Sequence, residues 1–230
     1  AGRLLMDKAL EQDQNLNRDY IILLGKVAAN YVEKGDDVLA ETIYRELINL
    51  SPGDGWIQVR YAELLMSQEK YQEARRIFVK LLGFAPESPF SAHKLDEIFE
   101  ITHVADERID VWKTLYESHP DALIPGLHYG KALEDMGLYD LALAHFRILY
   151  EKHPDAAEVA LRLGALVARQ EEYAAGHKLM IAALKMDNDL MPLYITFMSG
   201  LMEYFLDNDD VDSAAHTFLD LIRRQKEKIV

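Results

Sequence analysis

The chain has 230 residues, with 25 basic and 39 acidic side chains, a formal net charge of −14, and an apolar share of 50%. It is long enough to bury a core, and its acidic balance argues against a protein that binds the phosphate backbone of nucleic acid. Because there is no cysteine, disulfide frameworks, thiolate metal sites and cysteine nucleophiles are excluded.

The first 20 residues form a segment of their own. They begin Ala1-Gly2-Arg3, with neither an initiator methionine nor a secretory segment, and a helical pattern follows up to Glu11. We interpret residues 1–20 as an N-terminal helix that is either a cap or the end of a truncated preceding repeat. We therefore expect a soluble fragment of a longer protein, with the cytoplasm favoured as its compartment and the periplasm as the alternative.

From residue 21 the chain follows a period of 34 residues. Four prolines recur at this spacing: Pro52, Pro86, Pro120 and Pro154. A large side chain recurs as Tyr44, Phe78, Trp112, Phe146 and Met180. A small residue recurs as Ala40, Ala74, Ala142 and Gly176. The period predicts repeat units at about 21–54, 55–88, 89–122, 123–156 and 157–190, and a longer sixth at 191–228.

Each unit is predicted to hold two helices. In the first unit, apolar residues three and four positions apart run from Leu24 to Tyr31 and again from Ala40 to Ile48, the pattern of a buried helix face. A glycine such as Gly35 lies between the two stretches and suits a helix end because it tolerates a positive φ. Each proline then ends the second helix. No stretch alternates like a strand, so the predicted fold is all-α.

This spacing resembles the tetratricopeptide repeat (TPR) family, which has a small residue early in the second helix, an aromatic four later, an aliphatic three after that, and a closing proline. The best copy runs from Tyr129 to Pro154. In the third unit Arg108 replaces the small residue and Asp96 stands where glycine or alanine is usual, which predicts either looser packing or a polar contact. The resemblance covers residues 21–226. It implies a right-handed α-solenoid of about six helical-hairpin repeats, whose first helices line a concave groove.

Two series of side chains recur on the first helices. The basic or basic-capable series is Lys26, Arg60, Lys94, His128 and Arg162. Four positions earlier stand Ile22, Trp56, Phe90 and Ile124. Positions i and i+4 share a helix face, so the two series predict a groove that binds a protein or peptide segment of acidic and apolar character. The alternative is that the charges are only solvated and the apolar side chains pack between units.

A long helix from Leu190 to Leu206 is almost entirely apolar, with one charged residue. Its uncharged run is too short to cross a bilayer, which takes about 20 residues. A helix that is apolar on all sides is more commonly buried, here within the last two units. The alternative is that Met198, Met202 and Phe205 form a second surface, which docks onto another copy or onto a membrane-associated partner.

No catalytic, nucleotide or metal motif is complete. Gly25-Lys26 lacks the rest of a phosphate-binding loop, and the acidic run 207–212 lacks the glycine and closing glutamate of a calcium loop, so we interpret it as a capping turn. We predict no cofactor and a non-catalytic protein–protein interaction scaffold that serves protein complex assembly. The alternatives are an oligomerisation module of a larger, membrane-associated protein and, more remotely, an RNA-binding helical repeat.

Overall fold

The computed structural model describes residues 14–170 and 172–227, which form twelve α-helices and no β-strand. The helices are α1 (Gln14–Glu33), α2 (Asp37–Leu50), α3 (Gly55–Ser67), α4 (Tyr71–Phe84), α5 (Pro89–Thr102), α6 (Ala105–Ser118), α7 (Leu123–Asp135), α8 (Tyr139–Lys152), α9 (Ala157–Gln170), α10 (Tyr173–Met186), α11 (Met191–Asp207) and α12 (Val211–Glu227). A short 3₁₀ turn, Asn188–Leu190, precedes α11.

The segment predicted as an N-terminal helix lies largely outside the described residues, which begin at position 14. Helix α1 runs without a break through residue 21, where the first unit was predicted to begin. That predicted boundary therefore does not coincide with a helix end.

The helix ends follow from the turn residues. Gly35 and Gly137 have φ values of 73° and 71° between successive helices, a conformation that costs glycine little. Asp36 accepts a hydrogen bond from the backbone N–H of Leu39 at 3.3 Å and so caps α2. In the acidic turn before α12, Asp210 accepts one from the N–H of Ser213 at 3.1 Å. This turn is the capping turn that its sequence predicts.

The described chain divides into two compact units, with the boundary between residues 111 and 112 inside α6. In unit 1, helices α1 to α5 pack each against the next in chain order. The small residues Ala40 and Ala74 are completely buried, as are Tyr44 and Phe78 four positions later. The small side chains let neighbouring helices approach, and the large ones fill the space between them.

The third hairpin replaces this small residue with an ion pair. Arg108 Nε donates a hydrogen bond to Asp96 Oδ1 at 3.1 Å, and the two side chains are only 12% and 9% exposed. Of the two alternatives for this unit, the polar contact is therefore present. Asp96 and Arg108 are both unusual at their positions in the repeat, and each offsets the buried charge of the other.

In unit 2, helices α7 to α12 also pack in chain order, and α9 contacts α11 as well. Phe146 is completely buried and its ring lies on Gly130, where an added Cβ would be only 2.4 Å from Phe146 Cζ. Helices α9 and α10 meet backbone to backbone, since a Cβ on Gly176 would lie 2.3 Å from the carbonyl oxygen of Gly164. Glycine is needed at these positions because the partner group occupies the space of a side chain.

Candidate functional site

The first helices of unit 1 carry the apolar series on their accessible face. Ile22 on α1, Trp56 on α3 and Phe90 on α5 are 47%, 55% and 45% exposed. The Trp56 ring lies against Gly25 of α1, where an added Cβ would be 3.4 Å from Trp56 Cζ3. The ring therefore rests on a neighbouring helix with one side while about half of the side chain stays open to solvent.

The basic residues beside them differ in how far they are paired. Arg60 lies with its guanidinium carbon 5.7 Å from the Trp56 ring centre and forms an ion pair with Glu63 at 3.2 Å. Lys94 forms one with Glu97 at 2.7 Å. Lys26 is exposed and makes no ion pair within the described part of the chain. Carboxylates one helical turn away therefore offset two of the three positive charges.

A cavity of about 390 Å³ adjoins Trp56 and Arg60 and is bounded by helices α1, α2 and α3. Val32, Leu64 and the buried Tyr44 supply apolar surface, and burial raises the pKa of the Tyr44 hydroxyl. Its further lining residues include Glu33 and Glu63. The cavity is thus an aromatic and aliphatic recess with charged groups of both signs at its edge. Sequence reasoning missed its two glutamates, although the 34-residue step also relates Glu63 to Glu97.

In unit 2 the remaining members of the two series are more enclosed. His128 stacks on the buried Trp112, with ring centres 4.5 Å apart, and Ile124 is half-buried. Arg162 is buried and pairs with Glu134 at 2.5 Å and with Glu158 at 2.9 Å. The prediction of Arg162 as an accessible basic residue is therefore corrected.

The partners of Arg162 explain why it is enclosed. Glu158 is the residue that interrupts the apolar series in the sequence, and its carboxylate instead holds the guanidinium one turn along α9. Glu134 comes from α7, and burial raises the pKa of its carboxyl despite the opposing charge of Arg162. Because Glu134 is distant in sequence, only the packing of the helices could reveal it.

The second surface predicted on α11 is not present as an exposed patch. Met198 is completely buried, Phe205 is 6% exposed, and Met202 is half-buried. All three pack in the core of unit 2 with residues of α9, α10 and α12. The docking surface is therefore not present there, and burial, the commoner explanation, applies: neighbouring helices cover this apolar helix.

A further group in unit 2 was not predicted. The guanidinium of Arg169 lies between the rings of Tyr139 and Tyr204, 3.8 and 4.1 Å from their centres. These residues come from α9, α8 and α11, so no spacing within one helix links them. Their association depends on how the helices pack.

Within the described residues no cluster of three histidine, aspartate or glutamate side chains could hold a metal ion. Nor does any helix in that part of the chain combine the length and apolar character needed to span a bilayer.

Comparison with known proteins agrees with this architecture. Residues 130–190 match the family model described as Tetratricopeptide repeat. A tetratricopeptide repeat protein from Parabacteroides merdae is 14% identical, with a TM-score of 0.55 over 88% of this chain and 79% of that one. The family model matches these residues alone, and the shared fold confirms the predicted all-α helical-repeat fold.

Two other solved structures are similar at lower scores. YrrB, described as a TPR protein with an unusual peptide-binding site, is 18% identical with a TM-score of 0.49, over 81% of this chain and 94% of that one. MamA is 13% identical with a TM-score of 0.49, over 75% and 94%. No curated protein matches the chain.

Proposed function

We propose that this chain is a non-catalytic protein-interaction scaffold, and that helices α1 and α3 of unit 1 bind a segment of a partner protein. One observation carries the proposal: the half-exposed Trp56 ring, seated on Gly25 beside Arg60, at the edge of a 390 Å³ recess. Helical repeats host many functions, so the function is argued from these residues and not from the fold.

Trp56 has the properties of an interface anchor. Tryptophan and arginine are enriched among residues that dominate binding energies, and an aromatic side chain buries about 150–250 Å². Because one side of the ring is already held by Gly25, little side-chain freedom remains to be lost when a partner covers the other side. An apolar side chain of the partner would contact Trp56 and enter the recess beside Val32 and Leu64.

The charges around the recess define the rest of the partner segment. Lys26 lies one turn before Ala29, which lines the recess, and residues three apart share a helix face. Lys26 is the cation of this surface that no described carboxylate offsets. We therefore expect a segment with an apolar anchor and a nearby acidic residue.

The proposal can be tested through tryptophan fluorescence. The chain has two tryptophans, and replacing the buried Trp112 by Phe leaves Trp56 as the single reporter. A library of displayed peptides, each with one leucine or phenylalanine and one glutamate, would be selected for binding to the full chain. The selected peptides would then be titrated into the Trp112→Phe chain. We expect a change in Trp56 emission, and an affinity about tenfold weaker or worse for Trp56→Ala, because a well-covered anchor contributes more than about 1–2 kcal/mol.

A matched control is available in the same unit. Phe84 is 79% exposed on α4, away from the recess, so Phe84→Ala removes an exposed aromatic ring without touching the proposed surface. Its peptide affinity should equal that of the parent chain. Unchanged binding by Trp56→Ala, or equal losses in both variants, would refute the proposal.

Self-association is a second candidate function, favoured by exposed apolar side chains on α12. Val211, Phe218 and Leu219 are 65%, 49% and 49% exposed, in place of the α11 residues named from the sequence. Sedimentation velocity over a range of concentrations would detect a dimer, and Phe218→Glu should then restore a monomer. A single species at all concentrations would exclude this function.

A further inference from the structure

Unit 2 holds an arginine whose guanidinium lies close to two aromatic rings. The guanidinium carbon of Arg169 is 3.8 Å from the centre of the Tyr139 ring and 4.1 Å from that of Tyr204. Each ring attracts the cation through its negative face. The two rings come from different helices, so the position of the guanidinium is fixed by the packing of α8, α9 and α11.

The hydrogen-bonding edge of this guanidinium meets no acceptor among the residues that the structure describes. Across the described residues Arg169 forms neither a hydrogen bond nor an ion pair with a carboxylate. Its N–H groups lie in the plane of the guanidinium and form the fork that matches a carboxylate. Arg162, in contrast, is already held by Glu134 and Glu158. Arg169 is thus positioned and charged, but not neutralised.

Both arginines line a cavity of about 290 Å³ within unit 2. Leu166, Phe197 and Leu201 form its apolar wall, and Arg162 with Glu134 forms a polar wall whose charges cancel. The volume lies at the lower end of the range for ligand pockets, about 300–1,000 Å³. It therefore suits the side chains of one or two residues and not a whole helix.

We propose that this cavity binds an acidic side chain of a partner protein, with its carboxylate on the edge of Arg169 and an adjoining apolar side chain against Phe197 and Leu201. A carboxylate fits better than a phosphate, because Asp135 also lines the cavity and would repel a dianion more strongly than a single charge. The site lies wholly in unit 2 and does not depend on the Trp56 surface of unit 1.

The geometry gives the interaction its selectivity. The tyrosine rings hold the guanidinium before the ligand arrives, which reduces the loss of side-chain freedom on binding. A bidentate pair between arginine and a carboxylate is stronger than a hydrogen bond between neutral groups. A glutamine in the ligand keeps the shape of glutamate but not its charge, so it should bind more weakly at this site.

Short synthetic peptides with both ends blocked test the proposal on the full chain. One contains leucine next to glutamate, the second leucine next to glutamine, and the third leucine next to phosphoserine. Chemical-shift titration should give about tenfold tighter binding for the glutamate peptide than for the glutamine peptide, the range expected for a hydrogen bond to a charged group. Equal affinities, or tightest binding by the phosphoserine peptide, would overturn the assignment.

Variants then locate the site. At the chemical shifts of residues that line the unit 2 cavity, Arg169→Gln should remove the preference for glutamate, and Arg169→Lys should reduce it because lysine keeps the charge but lacks the planar fork. Arg147→Gln removes an exposed arginine of the same unit outside the cavity and should preserve the preference.

Thermal unfolding of each variant distinguishes loss of the site from loss of the fold. If Arg169→Gln does not fold, the comparison rests on Arg169→Lys against Arg147→Gln. A glutamate preference that survives intact in a folded Arg169→Gln or Arg169→Lys chain would refute the proposal. The Trp56→Ala variant should keep the preference, so failure of the unit 1 proposal and failure of this one give different results.

Discussion

Arg108 donates a hydrogen bond to Asp96 across 3.1 Å, and the two residues form a nearly buried ion pair between α5 and α6. Each replaces a residue that is small in neighbouring repeats, so neither would fit the site without the other. Burying a single charge is costly, whereas a pair with good geometry offsets much of that cost.

The first prediction concerns the removal of one member of this pair. Asp96→Ala removes the carboxylate that accepts the hydrogen bond from Arg108 Nε and should lower the free energy of unfolding by about 3–5 kcal/mol. The double variant Asp96→Ala with Arg108→Ala should cost less than either single variant, because no buried charge remains. Urea unfolding of all four chains gives the coupling energy. Additive losses would show that the pair does not act as a unit.

The second prediction compares two phenylalanines that differ in burial. Phe146 is completely buried, whereas Phe84 is 79% exposed. Phe146→Ala removes the ring that fills the space above Gly130 and should cost about 3–5 kcal/mol of unfolding free energy. Phe84→Ala should change it by no more than about 0.5 kcal/mol. Both are measured by chemical denaturation, and similar losses would contradict the assignment of Phe146 to the core.

The third prediction is that alanine, which is common at this position of the repeat, lowers the stability of the chain when it replaces Gly176. Gly176 stands where other units have alanine, and a Cβ there would lie 2.3 Å from the backbone nitrogen of Ala168. Gly176→Ala should therefore destabilise the chain by about 1–3 kcal/mol through overpacking, although alanine favours a helix by about 1 kcal/mol.

A matched glycine provides the control for this substitution. Gly83 of α4 has no atom within 4 Å of an added Cβ, so Gly83→Ala should be neutral or stabilising. The melting temperature of Gly176→Ala should fall below that of the parent chain, whereas that of Gly83→Ala should stay the same or rise. A higher melting temperature for Gly176→Ala would mean that α9 and α10 can separate without cost.

The fourth prediction concerns pH. His145 is buried, its Nε2–H donates to the Gly126 carbonyl oxygen at 2.7 Å, and the edges of Tyr116 and Tyr129 surround it. Burial lowers the pKa of its imidazole below the ordinary value of 6.5. As the pH falls below 6.5, His145 becomes protonated in the unfolded chain but stays neutral in the folded chain. The free energy of unfolding should therefore decrease from about pH 6.5 down to the lower pKa that His145 has in the folded state.

Urea unfolding at about pH 7.5 and about pH 5.5 measures this effect, because the interval lies around the ordinary histidine pKa. His145→Gln should reduce the pH dependence. His93→Gln, which replaces an exposed histidine, should leave it as it is in the parent chain. An equal pH dependence of stability in the parent chain and in His145→Gln would exclude a contribution from His145.

The regular part of the fold could be predicted because a single packing problem recurs. Tyr44, Phe78, Trp112, Phe146 and Met180 occupy the same place every 34 residues, and all five are buried. Helical spacing decides which side of a helix faces its neighbour, so the pattern alone identifies the core. The same spacing also predicts the capping turns, because the requirements at a helix end are local.

The candidate sites were less predictable because long charged side chains form ion pairs with residues that are close in space but distant in sequence. The pairing of Arg60 with Glu63 lies within one helix and could be anticipated from sequence. The pairing of Arg162 with Glu134 joins two helices and could not. Helix α11 was ambiguous for another reason: a helix that is apolar on every side reads the same whether other helices or a partner protein cover it.

The ion pair of Asp96 and Arg108 also bears on how similar hairpins are kept apart while the chain folds. The packing of an alanine and an aromatic side chain is nearly the same in the first, second and fourth repeats. It therefore hardly distinguishes the correct neighbouring helix from one that is a whole repeat away. If α5 paired in the equivalent manner with α4, Asp96 would meet Ala74 and its carboxylate would be buried without a cation. We infer that the ion pair of Asp96 and Arg108 distinguishes the third hairpin from its neighbours and makes arrangements displaced by a whole repeat less stable.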